Sequence, residues 1–258
     1  IFDCDGVLVD SEILSNGIDA ELMRAAGYPI TAAELIRGYI GRPKAEIWAA
    51  IAEERGVAWP DGLLEKADAL LLERIETELQ PVAGVAEALA LIPGRKSVAS
   101  SSALPKLRKA LSRCGLLEIF DPAVFSASQV ARGKPAPDVF LHAARECGVA
   151  ADQCLVVEDS VAGVHAGRAA GMRVLGFTGG LHSYPGHAEA LIAAGAAEVV
   201  SVASGRSRVV DIAGASLDVV FGVWSGRSRS RLSRVGNEEL IRPPPRGWHE
   251  RCTRPSRR

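Results

Sequence analysis

Ile1-Phe2-Asp3-Cys4-Asp5-Gly6 is the stretch on which the fold of this chain turns. An apolar pair runs into two carboxylates one residue apart and then into a turn residue, the pattern of a strand that ends in an acid cluster. Side chains alternate along a strand, so Asp3 and Asp5 share one face and Cys4 takes the other. Like charges this close are costly unless a cation offsets them. In an α/β sheet, the C-terminal edge of the strands is where ligands bind. Taken alone, the run reads equally well as a turn rich in Asp and Gly, so its meaning depends on the residues downstream of it. A buried strand usually spans about five or six residues, and only two apolar residues stand before Asp3, which leads to the expectation that further sequence precedes Ile1.

Outward from this stretch the pattern becomes helical from Ser11 to about Leu79. Apolar residues recur at helical spacing through Leu14, Ile18 and Leu22, then Ile47, Trp48 and Ile51, then Leu64, Leu71 and Ile75. Gly27 stops the first helix, Thr31 and Glu34 form a capping box, Pro43 suits a first helical position, and Asp61 is placed to cap the fourth helix. Between Pro81 and Val200 short apolar runs alternate with helices. Ser97-Val98-Ala99 leads to a helix closed by Gly115, Ala123-Val124-Phe125 to one closed by Gly148, and Leu155-Val156-Val157 to one closed by Gly171, before Val174-Leu175-Gly176-Phe177. Repeated strand-helix units imply a parallel sheet covered on both faces. The expected architecture is therefore an α/β, Rossmann-like core formed by residues 1–12 and 80–201, with an all-α cap at 13–79 inserted after the first strand.

Composition narrows the class. An apolar content of 48% over 258 residues supports a sizeable core. No apolar run approaches the roughly 20 residues that span a bilayer, and no signal peptide is evident, so a cytoplasmic protein without a membrane partner is expected. Five scattered cysteines with no C-x-x-C pair indicate neither a disulfide framework nor a zinc site. Charge is divided unevenly. Residues 202–258 hold 12 Arg, no Lys and 5 acids, a balance of +7, against −8 for the rest. That basic tail reads as disordered or non-native sequence in preference to a nucleic-acid arm.

Each predicted strand delivers chemistry to the same edge: Asp3 and Asp5 from the first, Ser100-Ser101-Ser102 from the second, Glu158-Asp159-Ser160 from the fourth, with Lys134 in the loop Gly133-Lys134-Pro135. Carboxylates without His or Cys favour a hard, oxygen-preferring ion, and Mg2+ suits a site that also admits phosphate oxygens. Asp3 fits a nucleophile that attacks phosphorus, and Asp5 an acid and base for the leaving oxygen and for water. Ser100 and Lys134 fit the holding of the transferring group. Singly, Lys134 reads as a surface lysine and Ser100 as a helix cap. Their shared edge is what raises them above that reading.

In this order, Asp3-Cys4-Asp5-Gly6, Val98-Ala99-Ser100, Lys134-Pro135 and Glu158-Asp159-Ser160 resemble the four motifs of the haloacid dehalogenase-like hydrolase superfamily. The match covers residues 1 to about 200. The inserted segment is similar to the α-helical cap of the branch that includes phosphoglycolate phosphatase and β-phosphoglucomutase. The resemblance implies a Mg2+-dependent phosphomonoesterase acting on a small phosphorylated metabolite, of sugar phosphate or phosphoglycolate type. It implies Asp3 as nucleophile, Asp5 as acid and base, Ser100 and Lys134 on phosphate, and Asp3, the carbonyl of Asp5, Asp159 and Glu158 on the metal. The dehalogenases of the superfamily lack the second aspartate of the first motif, so Asp5 argues against dehalogenation. The sugar-phosphate mutases carry a histidine where this chain reads Ser11-Glu12-Ile13-Leu14-Ser15-Asn16, which favours hydrolysis. A mutase and a non-catalytic phosphometabolite binder remain as alternatives.

Gly41-Arg42-Pro43-Lys44 resembles the family's specificity loop, placing Arg42 and Lys44 against an anionic substrate, although a solvated helix end explains them as well. His142, His165, His182 and His187 have no ligand partners at metal spacing and read as surface or helix-packing residues. Trp48 and Trp59 read as cap core. The sequence leaves oligomeric state and the identity of the ester open.

Overall fold

In the computed structural model the described residues are 1–39, 44–201 and, as backbone alone, 208–212 and 215–219. Phe2 sets the N-terminal segment in the middle of the sheet, with parallel bridges to Val98 on one side and Val157 on the other. Its N–H donates to the Ser97 carbonyl at 2.8 Å, its own carbonyl accepts from Ala99 N–H at 2.9 Å, and Asp3 N–H donates to the Val157 carbonyl at 2.9 Å. The segment leaves the sheet at once. The Cys4 carbonyl accepts from both Leu8 and Val9, and Gly6 takes a φ of +82°, which a residue with a Cβ adopts only under strain.

Four helices come next: α1 (Ser11–Ala25), α2 (Ala32–Tyr39), α3 (Lys44–Arg55) and α4 (Leu63–Thr77), with α1 packed on α2 and α4. The capping box forms as the sequence predicts, Glu34 N–H donating to Thr31 Oγ1 at 3.2 Å and Thr31 N–H to Glu34 Oε2 at 2.8 Å. Asp61 does not cap α4. Gly62 occupies that position in a left-handed conformation with no side-chain cap, so Asp61 stands one residue too early. Pro43 lies outside the described residues. Trp48 and Trp59 meet edge-to-face at 5.3 Å, and the Trp59 indole N–H donates to the Trp48 carbonyl at 2.8 Å. Trp48, Ile51, Leu71 and Ile75 are buried here, each contributing about 1.5–3 kcal/mol relative to exposure. Entry to and exit from this helical insertion are paired. Asp10 N–H donates to the Gln80 carbonyl, Val82 N–H to the Leu8 carbonyl, and Val9 bridges Pro81.

The rest of the core runs α5 (Val85–Leu91), β1 (Val98–Ser100), α6 (Leu104–Arg113), α7 (Leu117–Phe120), β2 (Val124–Ser126), α8 (Asp138–Glu146), β3 (Leu155–Glu158), α9 (Val161–Ala169), β4 (Arg173–Phe177), α10 (His187–Ala193) and β5 (Glu198–Val200). All pairings in this sheet are parallel, and Phe2 joins the two halves into the order β2, β1, N-terminal segment, β3, β4, β5. Alternation along the strands covers both faces. Val98, Val157 and Leu175 belong to one buried cluster, shared with the helical insertion, while Ala99, Val156 and Val174 belong to another with Val139, Phe140 and Val164. The result is the α/β, Rossmann-like core with an inserted helical cap.

Within the segment read as a tail, β6 (Arg208–Ile212) and β7 (Ala215–Val219) pair antiparallel, a use of the β-branched run Val209, Val210 and Ile212 that a reading dominated by arginine content does not anticipate. Its other residues from 202 on lie outside the described residues. No described helix is long and apolar enough to cross a membrane.

Candidate active site

Three strand ends and one loop converge on Asp3. The Lys134 ammonium donates to Asp3 Oδ1 at 2.6 Å, to Glu158 Oε1 at 2.6 Å and to the Ala99 carbonyl at 3.1 Å. The lysine side chain is 5% exposed and Glu158 fully buried, so these are desolvated pairs in which each charge depends on the other. Burial works against the Lys134 ammonium, but Asp3 and Glu158 outweigh it and hold its pKa above the ordinary lysine value. Glu158 is fixed at its other oxygen too, where Oε2 accepts from Ser160 N–H at 2.8 Å and Ser160 Oγ at 2.9 Å. The first turn of α9 makes room for it. A Cβ on Gly163 would overlap the Glu158 carboxylate.

Asp5 meets different surroundings. Its Oδ1 accepts from Ser11 Oγ at 2.6 Å, and its Oδ2 from Ser102 Oγ at 2.7 Å and Ser100 Oγ at 3.3 Å. Lys106, near the start of α6, stands 4.0 Å away. Burial alone would raise the Asp5 carboxyl, but Lys106 and the three hydroxyls more than offset it, so its pKa lies below the usual value. Asp3 and Asp159 go the other way. Burial pushes both well up; Glu158 adds to this at both, and Lys134 opposes it without prevailing.

Asp3, Glu158 and Asp159 each offer a carboxylate oxygen, and the three oxygens lie within 4.8 Å of one another. Buried, all-oxygen donors whose negative charge is under-compensated fit a hard divalent cation. The Asp5 carboxylate is not part of this group. Its oxygens face the hydroxyls of Ser11, Ser100 and Ser102, so the metal role expected of Asp5 is not carried by its carboxylate.

A haloacid dehalogenase-like hydrolase family model matches residues 1–171, more than half of the chain. The chain belongs to that family. Among curated relatives of this haloacid dehalogenase-like hydrolase, Escherichia coli 6-phosphogluconate phosphatase is 30% identical over 71% of this chain and 84% of its own length. The E. coli fructose-1-phosphate phosphatase YqaB is 35% identical over 67% of this chain and 92% of its own. Among solved structures, a conserved haloacid dehalogenase-like protein from Agrobacterium tumefaciens is similar with 42% identity and a TM-score of 0.74, covering 78% of this chain and 91% of that one.

In this haloacid dehalogenase-like hydrolase, six residues singled out from sequence come together: Asp3, Asp5, Ser100, Lys134, Glu158 and Asp159. Arg42 lies outside the described residues. Lys44 begins α3 and pairs with Asp19 at 3.2 Å and Asp68 at 3.3 Å, so within the cap its charge is answered by two acids. Sequence reading missed Ser11, Ser102 and Lys106, all on Asp5. It also misjudged two histidines. His182 is 2% exposed, with Nε2 at 2.8 Å from Asp159 Oδ2, and buried His187 donates from Nε2 to the Asp159 carbonyl at 2.6 Å. The doublet Gly179-Gly180 before His182 was the available signal, since a tight glycine turn brings a following side chain close to backbone. His165 is exposed and His142 lies edge-on to Phe125 at 5.3 Å, as a surface and a packing role require.

Proposed function

We propose that this enzyme is a phosphatase that hydrolyses phosphate monoesters of small sugars or related metabolites with the help of Mg2+. The observation that carries this reading is the pair of aspartates on one strand end, one oxygen of Asp3 on a buried ammonium beside two further acids, and Asp5 apart among hydroxyls. The names of the curated relatives support the sugar phosphate class. A small soluble ester as partner and a cytoplasmic setting go with it.

Asp3, Asp159, the Asp5 carbonyl and Glu158 would hold Mg2+, which would supply positive charge against phosphate oxygens and relieve the crowding of the acids. Asp3 attacks phosphorus, an Asp3–phosphorus bond forms, and the ester oxygen leaves with the bonding pair and takes a proton from Asp5. Water then attacks phosphorus, Asp5 accepts its proton, and the bond to Asp3 breaks, returning the carboxylate. Asp5 is ionised before substrate arrives. A phosphate monoester with a second pKa near 6 can bring the required proton, and its negative charge pushes the Asp5 carboxyl back up. Lys134 and Ser100 hold the transferring group, with Lys134 exchanging part of its bond to Asp3 for phosphate oxygen.

Phosphate release from a panel of sugar phosphates, phosphoglycolate and nucleotides, measured with Mg2+ or EDTA, tests the reading. Metal-dependent release that Asp3→Asn abolishes is the expected result. Folded protein that releases no phosphate from any ester overturns it and points to binding without turnover.

A further inference from the structure

The loop between β4 and α10, which carries Gly179-Gly180-Leu181-His182, has no part in the chemistry above, yet it and the first residue of α10 hold Asp159 at two points. His182 Nε2 is 2.8 Å from Asp159 Oδ2. Ionised, as a metal ligand must be, the Asp159 carboxylate only accepts, so in that form Nε2 carries the proton and Nδ1 the lone pair. His187 grips the same residue by its backbone, Nε2–H donating to the Asp159 carbonyl, while its Nδ1 is 3.0 Å from Ser183 Oγ and Tyr184 stacks on the ring at 4.8 Å. The loop is itself anchored, since Leu181 N–H donates to Asp10 Oδ1 at 2.9 Å. Two glycines clear the space for the His182 ring. A Cβ on Gly6 would stand 2.6 Å from His182 Cε1 and would overlap Asp159 Oδ2, and one on Gly180 would stand 2.7 Å from both Cε1 and Nδ1. The imidazole is thus built into the acid-bearing turn at a place that only glycine leaves open, and it is 2% exposed with Nδ1 unpartnered among the described residues.

We propose that His182 is a positioning residue for the divalent cation: its Nε2–H occupies Asp159 Oδ2, fixes the carboxylate plane, and leaves Oδ1 as the oxygen presented to the metal. Outer-shell partners of this kind set ligand orientation, and losing one typically weakens metal binding about 10- to 100-fold. The inference rests on the metal-dependent reading above and concerns only which residue orients one of its ligands.

Mg2+ alone, titrated calorimetrically into the wild type, His182→Leu and His182→Gln, separates the two. His182→Gln keeps an N–H at similar reach and is expected to bind Mg2+ within about threefold of the wild type. His182→Leu keeps the bulk and loses the donor, and its Kd is expected to rise about tenfold or more, with KM for Mg2+ rising by more than kcat falls. Melting in EDTA shows whether the variant folds, and His182→Asn, polar but too short to reach Oδ2, takes its place if leucine is not tolerated. Equal Mg2+ affinity in wild type and His182→Leu overturns the inference and leaves the phosphatase reading intact, as does equal weakening in the glutamine and leucine variants. No Mg2+ binding by the wild type overturns the metal reading, and this inference with it.

Discussion

Asp3 and Asp5 are one residue apart on the same segment, and their surroundings differ in kind. Asp3 lies among other acids and is answered by the Lys134 ammonium at 2.6 Å, with its carboxyl pushed well up by burial. Asp5 takes hydroxyl bonds from Ser11, Ser100 and Ser102 near Lys106, and its carboxyl is held down. Spacing alone makes the two equivalent. What separates them is which strand ends and which helix start surround each, so two identical side chains are given different charge environments by packing rather than by residue type.

The largest effect expected from this contrast is on turnover. Asp3→Asn removes the attacking oxygen and should lower kcat on the best ester on the order of 10^4-fold or more, whereas Asp5→Asn removes a proton carrier and should cost about 10^2- to 10^4-fold. Single-turnover trapping of phosphorylated enzyme separates them, because Asp5→Asn retains a group that can be phosphorylated. Equal losses with no phosphorylated enzyme in either variant would erase the distinction.

Next in size is Lys134→Met, which leaves Asp3 and Glu158 buried without their cation. Breaking such a pair costs about 3–5 kcal/mol, read as a fall in denaturation midpoint that Mg2+ partly restores. A matching loss in Lys106→Met would show that the Asp3 side is no more dependent on its cation than the Asp5 side.

A smaller effect, of opposite sign, is expected at Asp159. Asp3 and Asp159 have folded-state pKa values raised above 3.8, so their contribution to metal-free stability is fully present below that pH and is lost as pH rises through the raised values. Asp5 contributes in the reverse sense, its contribution being present above 3.8 and lost as pH falls through its lowered folded-state value. In EDTA, Asp159→Asn should therefore melt above the wild type at pH 8, with the gap closing toward pH 4, and Mg2+ should stabilise only the wild type. A metal-free variant that melts lower at pH 8 would contradict the crowding. The smallest expected effect is that of Lys106→Met on rate. Lys106 lowers the Asp5 carboxyl, so its loss should move the acidic limb of the kcat/KM profile to higher pH. Partial exposure of the lysine, 26%, keeps that shift modest.

Much of this contrast was legible in the sequence, on one side better than on the other. Asp3, Lys134, Glu158 and Asp159 stand at strand ends or in a loop opening a helix, and the runs around Val98, Val124 and Val156 with the closing glycines Gly115, Gly148 and Gly171 locate those ends. Ser102 lay within a quoted serine run, but nothing in three adjacent serines tells which hydroxyl turns toward Asp5. Lys106 sits on an amphipathic helix where a lysine is ordinary. His182 reaches Asp159 from a loop without periodicity and His187 from the start of α10, so beyond the glycine doublet no pattern links them to an acid more than twenty residues earlier. The cap of α4 failed for a local reason, a left-handed glycine where a side-chain cap was expected.

The central place of Phe2 in the sheet also imposes an order in time. Its two neighbours, Val98 and Val157, are made long after it, and at roughly 5–20 residues per second the second leaves the ribosome about 10–30 s later. Until Val98 is made the nascent chain carries Asp3 and Asp5 on an unflanked strand, and Glu158 and Asp159 join them only with the second neighbour. The helical insertion, made of local contacts, can fold during that wait, while the enzyme's chemistry comes into being only when β3 arrives.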